Sequence, residues 1–172
     1  IEEIVALGAS VLFTASDGTN GLELWRSDGT PGGTTLVKNI APGAPGSDPR
    51  ELTVVGSTLF LSADDGVHGL ELWVTDGTSA GTSVLDAVPG AVSSAPRNLA
   101  QLQNGTVLFI ANDTLLGLQI WRSNGTVGGT KQVGRHLGRG RLAVGAGDGH
   151  ERGVEHAPAE LELADDRDAG SD

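Results

Sequence analysis

The 172-residue chain contains no cysteine, no methionine and no tyrosine, and only three tryptophans and three phenylalanines. Without cysteine there is no disulfide framework, no thiol nucleophile and no cysteine-ligated zinc site. Bases are scarce: eleven Lys and Arg stand against 22 Asp and Glu, for a net charge of −11. Such a surface repels a phosphate backbone, which needs clustered cations, so no nucleic-acid partner is expected. No apolar run approaches the ~20 residues that cross a bilayer as a helix, so no membrane span is expected either. No leader segment opens the chain, which starts at Ile1, and the expected origin is a piece of a longer or processed protein.

What the chain does have is glycine, 27 in all, and repetition. "GLELWRSDGTPGGT" at 21–34 returns as "GLELWVTDGTSAGT" at 69–82 and "GLQIWRSNGTVGGT" at 117–130, setting Trp25, Trp73 and Trp121 at a spacing of 48. The echo extends upstream, through "GASVLFTASD" (8–17), "GSTLFLSADD" (56–65) and "NGTVLFIAND" (104–113). The joints match too, "PGSDPREL" (45–52) against "SSAPRNL" (93–99). A fixed period of this length marks a repeat architecture, with units at about 1–50, 51–98 and 99–133.

Each unit reads as four short strands, in the first copy 4–7, 11–15, 22–26 and 35–40, separated by Gly, Asn and Asp turns. No stretch carries a helical period, and the fold class is all-β. "VLF" and "LELW" place apolar groups on both sides of the pleat, as in a sheet covered on both faces. Three four-stranded repeats of 48 residues fit a partial β-propeller, whose closed forms typically have four to eight blades. Further repeats or self-association would be needed to close it. The alternative is a closed three-repeat β-trefoil, in which "LQIW" (118–121) resembles the QxW motif of ricin-type lectins. Residues 134–172 abandon the pattern, with no aromatic residue, nine acids and five arginines. The expectation there is a low-complexity, disordered tail, in which a frameshifted terminus is one origin.

"ELWRSDGTPGGT", "ELWVTDGTSAGT" and, more loosely, "QIWRSNGTVGGT" resemble the ELWxxDGT repeat family of bacterial proteins. The resemblance covers about residues 1–133 and implies propeller-like repeats in large secreted or cell-surface proteins. It carries no established activity. Gln119, Ile120 and Asn124 depart from the motif.

The residues that recur offer structural roles and functional ones. Trp25, Trp73 and Trp121 could stack on sugars, but wedging between sheets is the expected role. Asp28, Asp76 and Asn124, each followed by a glycine (Gly29, Gly77, Gly125), are expected to make turns. Asp17, Asp65 and Asp113 are calcium candidates, though six to eight oxygens are needed and turn-making competes. Glu23, Glu71 and Gln119 could suggest a catalytic acid, which would need a partner carboxylate. A polar group bonding an adjacent loop is the expected role.

"SADDGVHGLELW" (62–73) resembles the Asp-box turn of sialidase-like glycosidases, but the absence of tyrosine excludes their nucleophile here. In the tail, "VGAGDGHERG" lacks the third glycine of a dinucleotide loop, and His150 and His156 miss the HExxH spacing. Triplets of the N-x-T kind at Asn104, Asn112 and Asn124 fit glycosylation sequons, but two of them, at Asn104 and Asn124, also read Asn-Gly, and the turn reading is the expected one. The reading that results is a non-enzymatic scaffold, adhesion or binding module without cofactor, with an unidentified protein or glycan ligand. The alternative is a lectin-like carbohydrate-binding module on the trefoil.

Overall fold

The computed structural model describes residues 1–88 and 92–133. The tail expected at 134–172, with its two decoy motifs, lies outside the described residues.

Each repeat folds into its own antiparallel sheet. The first comprises β1 (Ile4–Leu7), β2 (Ser10–Ser16), β3 (Leu22–Ser27) and β4 (Thr35–Lys38). The second comprises β5 (Arg50–Val55), β6 (Thr58–Asp64), β7 (Leu70–Thr75) and β8 (Ser83–Val84). The third comprises β9 (Arg97–Gln101), β10 (Val107–Asp113), β11 (Gly117–Ser123) and β12 (Lys131–Gln132). Strand order in every sheet is chain order, and the described residues contain no helix. The central hairpin keeps one register throughout: Phe13 opposes Trp25, Leu61 opposes Trp73 and Phe109 opposes Trp121. The fold is the expected all-β, partial propeller, with β5 lying between β1 and β9 in the innermost row.

The trefoil alternative is corrected by this topology. A trefoil builds one shared barrel from strands of all its repeats, whereas here each four-stranded ladder is drawn from a single repeat. The fourth strand of the first unit also ends at Lys38, two residues short of the expected 40. Ile40 turns instead into the core between the sheets.

Two apolar seams join the three sheets. In the first, Leu7, Leu12, Leu24, Val37 and Ile40 meet Leu59, Leu61, Ala63 and Trp73 of the second sheet. In the second, Val55, Phe60, Leu72, Val74 and Leu85 meet Val107, Phe109, Ala111 and Trp121. Alternation along β6 and β7 therefore sends every second side chain into one seam and the rest into the other, and both faces of the middle sheet are buried.

Truncation inside a seam should be costly and truncation outside it harmless. Leu72→Ala, at a fully buried site, is expected to lower unfolding free energy by about 2–5 kcal/mol. Leu115→Ala, 91% exposed, should stay within about 0.5 kcal/mol, both read from denaturant melts.

Candidate functional site

The recurrent phrase builds one turn three times. In the first sheet Asp28 Oδ1 accepts hydrogen bonds from the Thr30 amide (2.9 Å) and the Thr30 hydroxyl (2.7 Å). Thr30 Oγ1 in turn accepts from the Gly33 amide, and Thr34 Oγ1 donates to Thr30 O. Ser27 Oγ takes the Gly29 amide and shares a hydrogen bond with Thr34 Oγ1. Asp76 with Thr78, and Asn124 with Thr126, repeat this pattern. Gly29, Gly77 and Gly125 have φ near +90° (90°, 87° and 86°), a left-handed conformation that side chains resist. Gly33, Gly81 and Gly129 are needed for room: a Cβ at any of them would overlap the side chain of Asp28, Asp76 or Asn124.

These bonds have an electrostatic consequence. The Thr30 hydroxyl and amide hold the Asp28 carboxyl below the ordinary aspartate value, and the Thr78 hydroxyl and amide do the same for Asp76. Their contribution to stability is present at neutral pH and lost as pH falls through those lowered values. Asn124 supplies the same acceptor without charge.

Each tryptophan lies along its own sheet. Trp25 and Trp73 donate from Nε1 to the carbonyls of Ala15 (3.0 Å) and Ala63 (3.1 Å). The Trp121 ring stacks on Phe109, with centroids 6.4 Å apart, and its buried Nε1 has no partner among the described residues. Trp73 and Trp121 are buried in the two seams, whereas Trp25 is half-buried.

Glu23 and Glu71 are fully buried and tie crossover segments to β3 and β7. Glu23 accepts from the Ala41 amide (2.9 Å) and the Ser47 hydroxyl (2.6 Å). Glu71 accepts from the amide and hydroxyl of Ser94 (both 2.6 Å) and from the Ala87 amide (3.3 Å). Each crossover then reaches the next sheet, Ser47 O accepting from the Asp64 amide and Ser94 O from the Asn112 amide. Burial pushes the Glu71 carboxyl above its ordinary value, against the donors that favour its charge. Gln119 donates instead to Leu116 O inside its own turn.

A second set of carboxylates went unrecognised in the sequence. Glu3 accepts from the consecutive amides of Glu51 (3.1 Å) and Leu52 (2.9 Å), and Glu51 accepts from the Leu99 amide (3.2 Å). Glu51 and Asn98 have φ of 60° and 56°, which turns the strand-start amides toward the preceding sheet. The signal was the recurrence of "PRE" and "PRN", obscured because the joint is one residue shorter than the tryptophan period.

The calcium candidates are separated, one per sheet, and each closes a turn. Asp17 accepts from the amides of Thr19 and Asn20, Asp65 from those of Val67 and His68, and Asp113 from those of Leu115 and Leu116. Among the described residues no group of three His, Asp or Glu side chains is placed to hold a metal. Asn104 and Asn124 are turn acceptors, while Asn112 lies within β10. No helix among the described residues is long and apolar enough to cross a membrane.

A cleft of about 530 Å³ lies between the first crossover and the β6–β7 turn, lined by Ala41–Asp48, Asp64–Gly66 and Leu70. Its apolar wall is edged by three carboxylates, all engaged: Asp48 with Arg50 (2.7 Å), Asp64 with the Gly66 amide and Asp65 with His68 (2.7 Å). The Asp65 contact raises the His68 pKa above its ordinary value.

No protein-family model and no curated protein matches the chain. Among solved structures the fold is similar to one from a structural and mechanistic study of two prolyl endopeptidases, with a TM-score of 0.51 and 18% identity. That likeness covers 76% of this chain and 19% of the other, and it is one of fold alone.

Two sets of variants probe the site. Gly81→Ala should destabilise the protein strongly in the native background and much less beside Asp76→Ala, which removes the side chain it strikes; the coupling is read from a double-mutant cycle of melts. Glu71→Ala should cost about 1–3 kcal/mol for each buried donor left unpaired. Because the Glu71 pKa is raised on folding, its contribution is fully present below the ordinary glutamate value and lost as pH rises through the raised one. Glu71→Gln should flatten the pH dependence of stability across that window.

Proposed function

We propose that the chain is a non-enzymatic repeat module of a secreted or cell-surface bacterial protein, serving as a scaffold or adhesion element and presenting a site for a protein or glycan ligand. One observation carries the reading: the polar residues that recur with the repeat are committed to the fold. Asp28, Asp76 and Asn124 close turns, Glu23 and Glu71 anchor crossovers, and Glu3 and Glu51 bind the next inner strand. A glycosidase-type acid needs access to substrate and a partner carboxylate across the scissile bond. Glu23 and Glu71 are sealed from solvent and hold backbone amides instead. The resemblance to the ELWxxDGT repeats supports a bacterial, exported setting.

The cleft beside the first crossover is the favoured ligand position. Its apolar wall suits an uncharged group.

A glycan array, a panel of chromogenic hydrolase substrates and calcium-dependent melts on the same preparation test the reading. The expected outcome is no turnover, and a melting temperature unchanged between millimolar calcium and chelator. Turnover lost in Glu71→Gln would overturn the non-enzymatic reading. A calcium-induced rise lost in Asp65→Asn would overturn the turn assignment. Fractionation of cells producing the parent protein should find it outside the cytoplasm, and cytoplasmic retention would overturn the exported setting.

A further inference from the structure

Asparagine is followed by glycine three times, at Asn20-Gly21, Asn104-Gly105 and Asn124-Gly125. The pair has a chemistry of its own. Because glycine has no Cβ, its backbone nitrogen can approach the Cγ of the asparagine before it. A bond from that nitrogen to Cγ closes a five-membered succinimide; the Cγ–Nδ2 bond breaks, and Nδ2 leaves as ammonia with the proton of the glycine amide. Water then opens the ring. Addition at the side-chain carbonyl gives aspartate, and addition at the main-chain carbonyl gives isoaspartate. No oxidant or reductant enters. Ring closure swings the Asn-Gly peptide out of its native orientation, so reactivity in the folded protein depends on how firmly that peptide is held.

The three pairs are held differently. Asn20 is fixed at both ends of its amide, Nδ2 donating to Asp17 Oδ2 (2.7 Å) and Oδ1 accepting from Asn39 (2.9 Å). Gly21 lies so close under the first crossover that a Cβ on it would overlap Pro45 O. Asn124 is exposed, but the Gly125 amide donates to the fully buried Ser123 (3.1 Å). A Cβ on Gly125 would lie 3.5 Å from Phe60 and 3.7 Å from Val74 of the preceding sheet. Asn104 and Gly105 stand at the tip of the β9–β10 hairpin, both exposed, and a Cβ on Gly105 would meet nothing within 4 Å. The Gly105 amide makes a long bond to Leu102 O (3.3 Å). The corresponding tips, Gly8-Ala9 and Gly56-Ser57, are exposed as well, in sheets that pack against neighbours. Exposure there belongs to the position in the repeat.

The aspartate product is one the fold already uses. Asn104 Oδ1 accepts from the Thr106 amide and hydroxyl, as Asp28 does from Thr30 and Asp76 from Thr78. Gly105 has φ of 80°, close to the 90° and 87° of Gly29 and Gly77. A carboxylate at 104 keeps that acceptor and adds one negative charge, whereas isoaspartate lengthens the main chain by one atom within the turn. We propose that Asn104 is a site of spontaneous deamidation in the folded protein, with water as co-substrate, and that its aspartate form keeps the fold. The assignment stands independently of what the module binds.

Ageing the folded full chain in mildly alkaline buffer, followed by digestion and peptide mapping by mass spectrometry, tests it. Isoaspartate is scored by an isoaspartyl methyltransferase. The Asn104 amide should be lost several-fold faster than those of Asn20 and Asn124. In denaturant the three rates should converge, because the reacting pair is the same. Ser123→Ala removes the acceptor of the Gly125 amide and should speed loss at Asn124 while leaving Asn104 unchanged, circular dichroism verifying that the sheets persist. Asn104→Asp should melt with the parent. An Asn104 amide that survives as long as the other two in the folded chain overturns the proposal. Rates that differ as much in denaturant as in buffer overturn its structural cause, and so does a Ser123→Ala chain in which Asn124 reacts no faster. An Asn104→Asp chain that melts well below the parent overturns the fit of the product.

Discussion

Each sheet of this protein has apolar side chains on both faces, and neither face can be left to water without cost. Burial of large side chains is worth about 1.5–3 kcal/mol each, so the preferred neighbour of one sheet is another like it. The middle sheet meets the condition fully, with Leu59, Leu61 and Trp73 on one side and Phe60, Leu72 and Val74 on the other. The rest of the architecture keeps successive sheets at a spacing where those side chains meet. The turns at Gly77 and Gly125 approach the preceding sheet, and it is their left-handed φ of 87° and 86° that calls for glycine there. The tryptophans spread along their own strands instead of projecting outward.

Polar groups do the complementary work of fixing orientation. A buried carboxylate is costly unless donors surround it. Glu71, with two amides and a hydroxyl, meets that requirement while its pKa still records the penalty of burial. The crossover it holds also bonds to the following sheet. One side chain thus sets where a crossover leaves its own sheet and where it enters the next. Glu3 and Glu51 do the same among the innermost strands.

Much of this was legible in the sequence. The period of 48 set the units, the paired apolar runs set the strands, and the change from Asp76 to Asn124 disclosed an acceptor whose charge is dispensable. Glu23 and Glu71 could be read as polar anchors because they interrupt apolar strands. Their partners could not, since Ser47 and Ser94 lie more than twenty residues away in segments rich in small residues. Glu3 was illegible for a different reason. Its bonds go to main-chain amides in the next repeat, and an amide leaves no mark in a sequence. The choice between propeller and trefoil likewise depended on strand pairing, which composition and period leave open.

The carboxylate ties and the seams described here link a repeat only to its immediate neighbours. Cohesion is therefore additive along the array, and a repeat gained or lost disturbs the interfaces beside it and none beyond. Duplication can lengthen such an array without redesigning it.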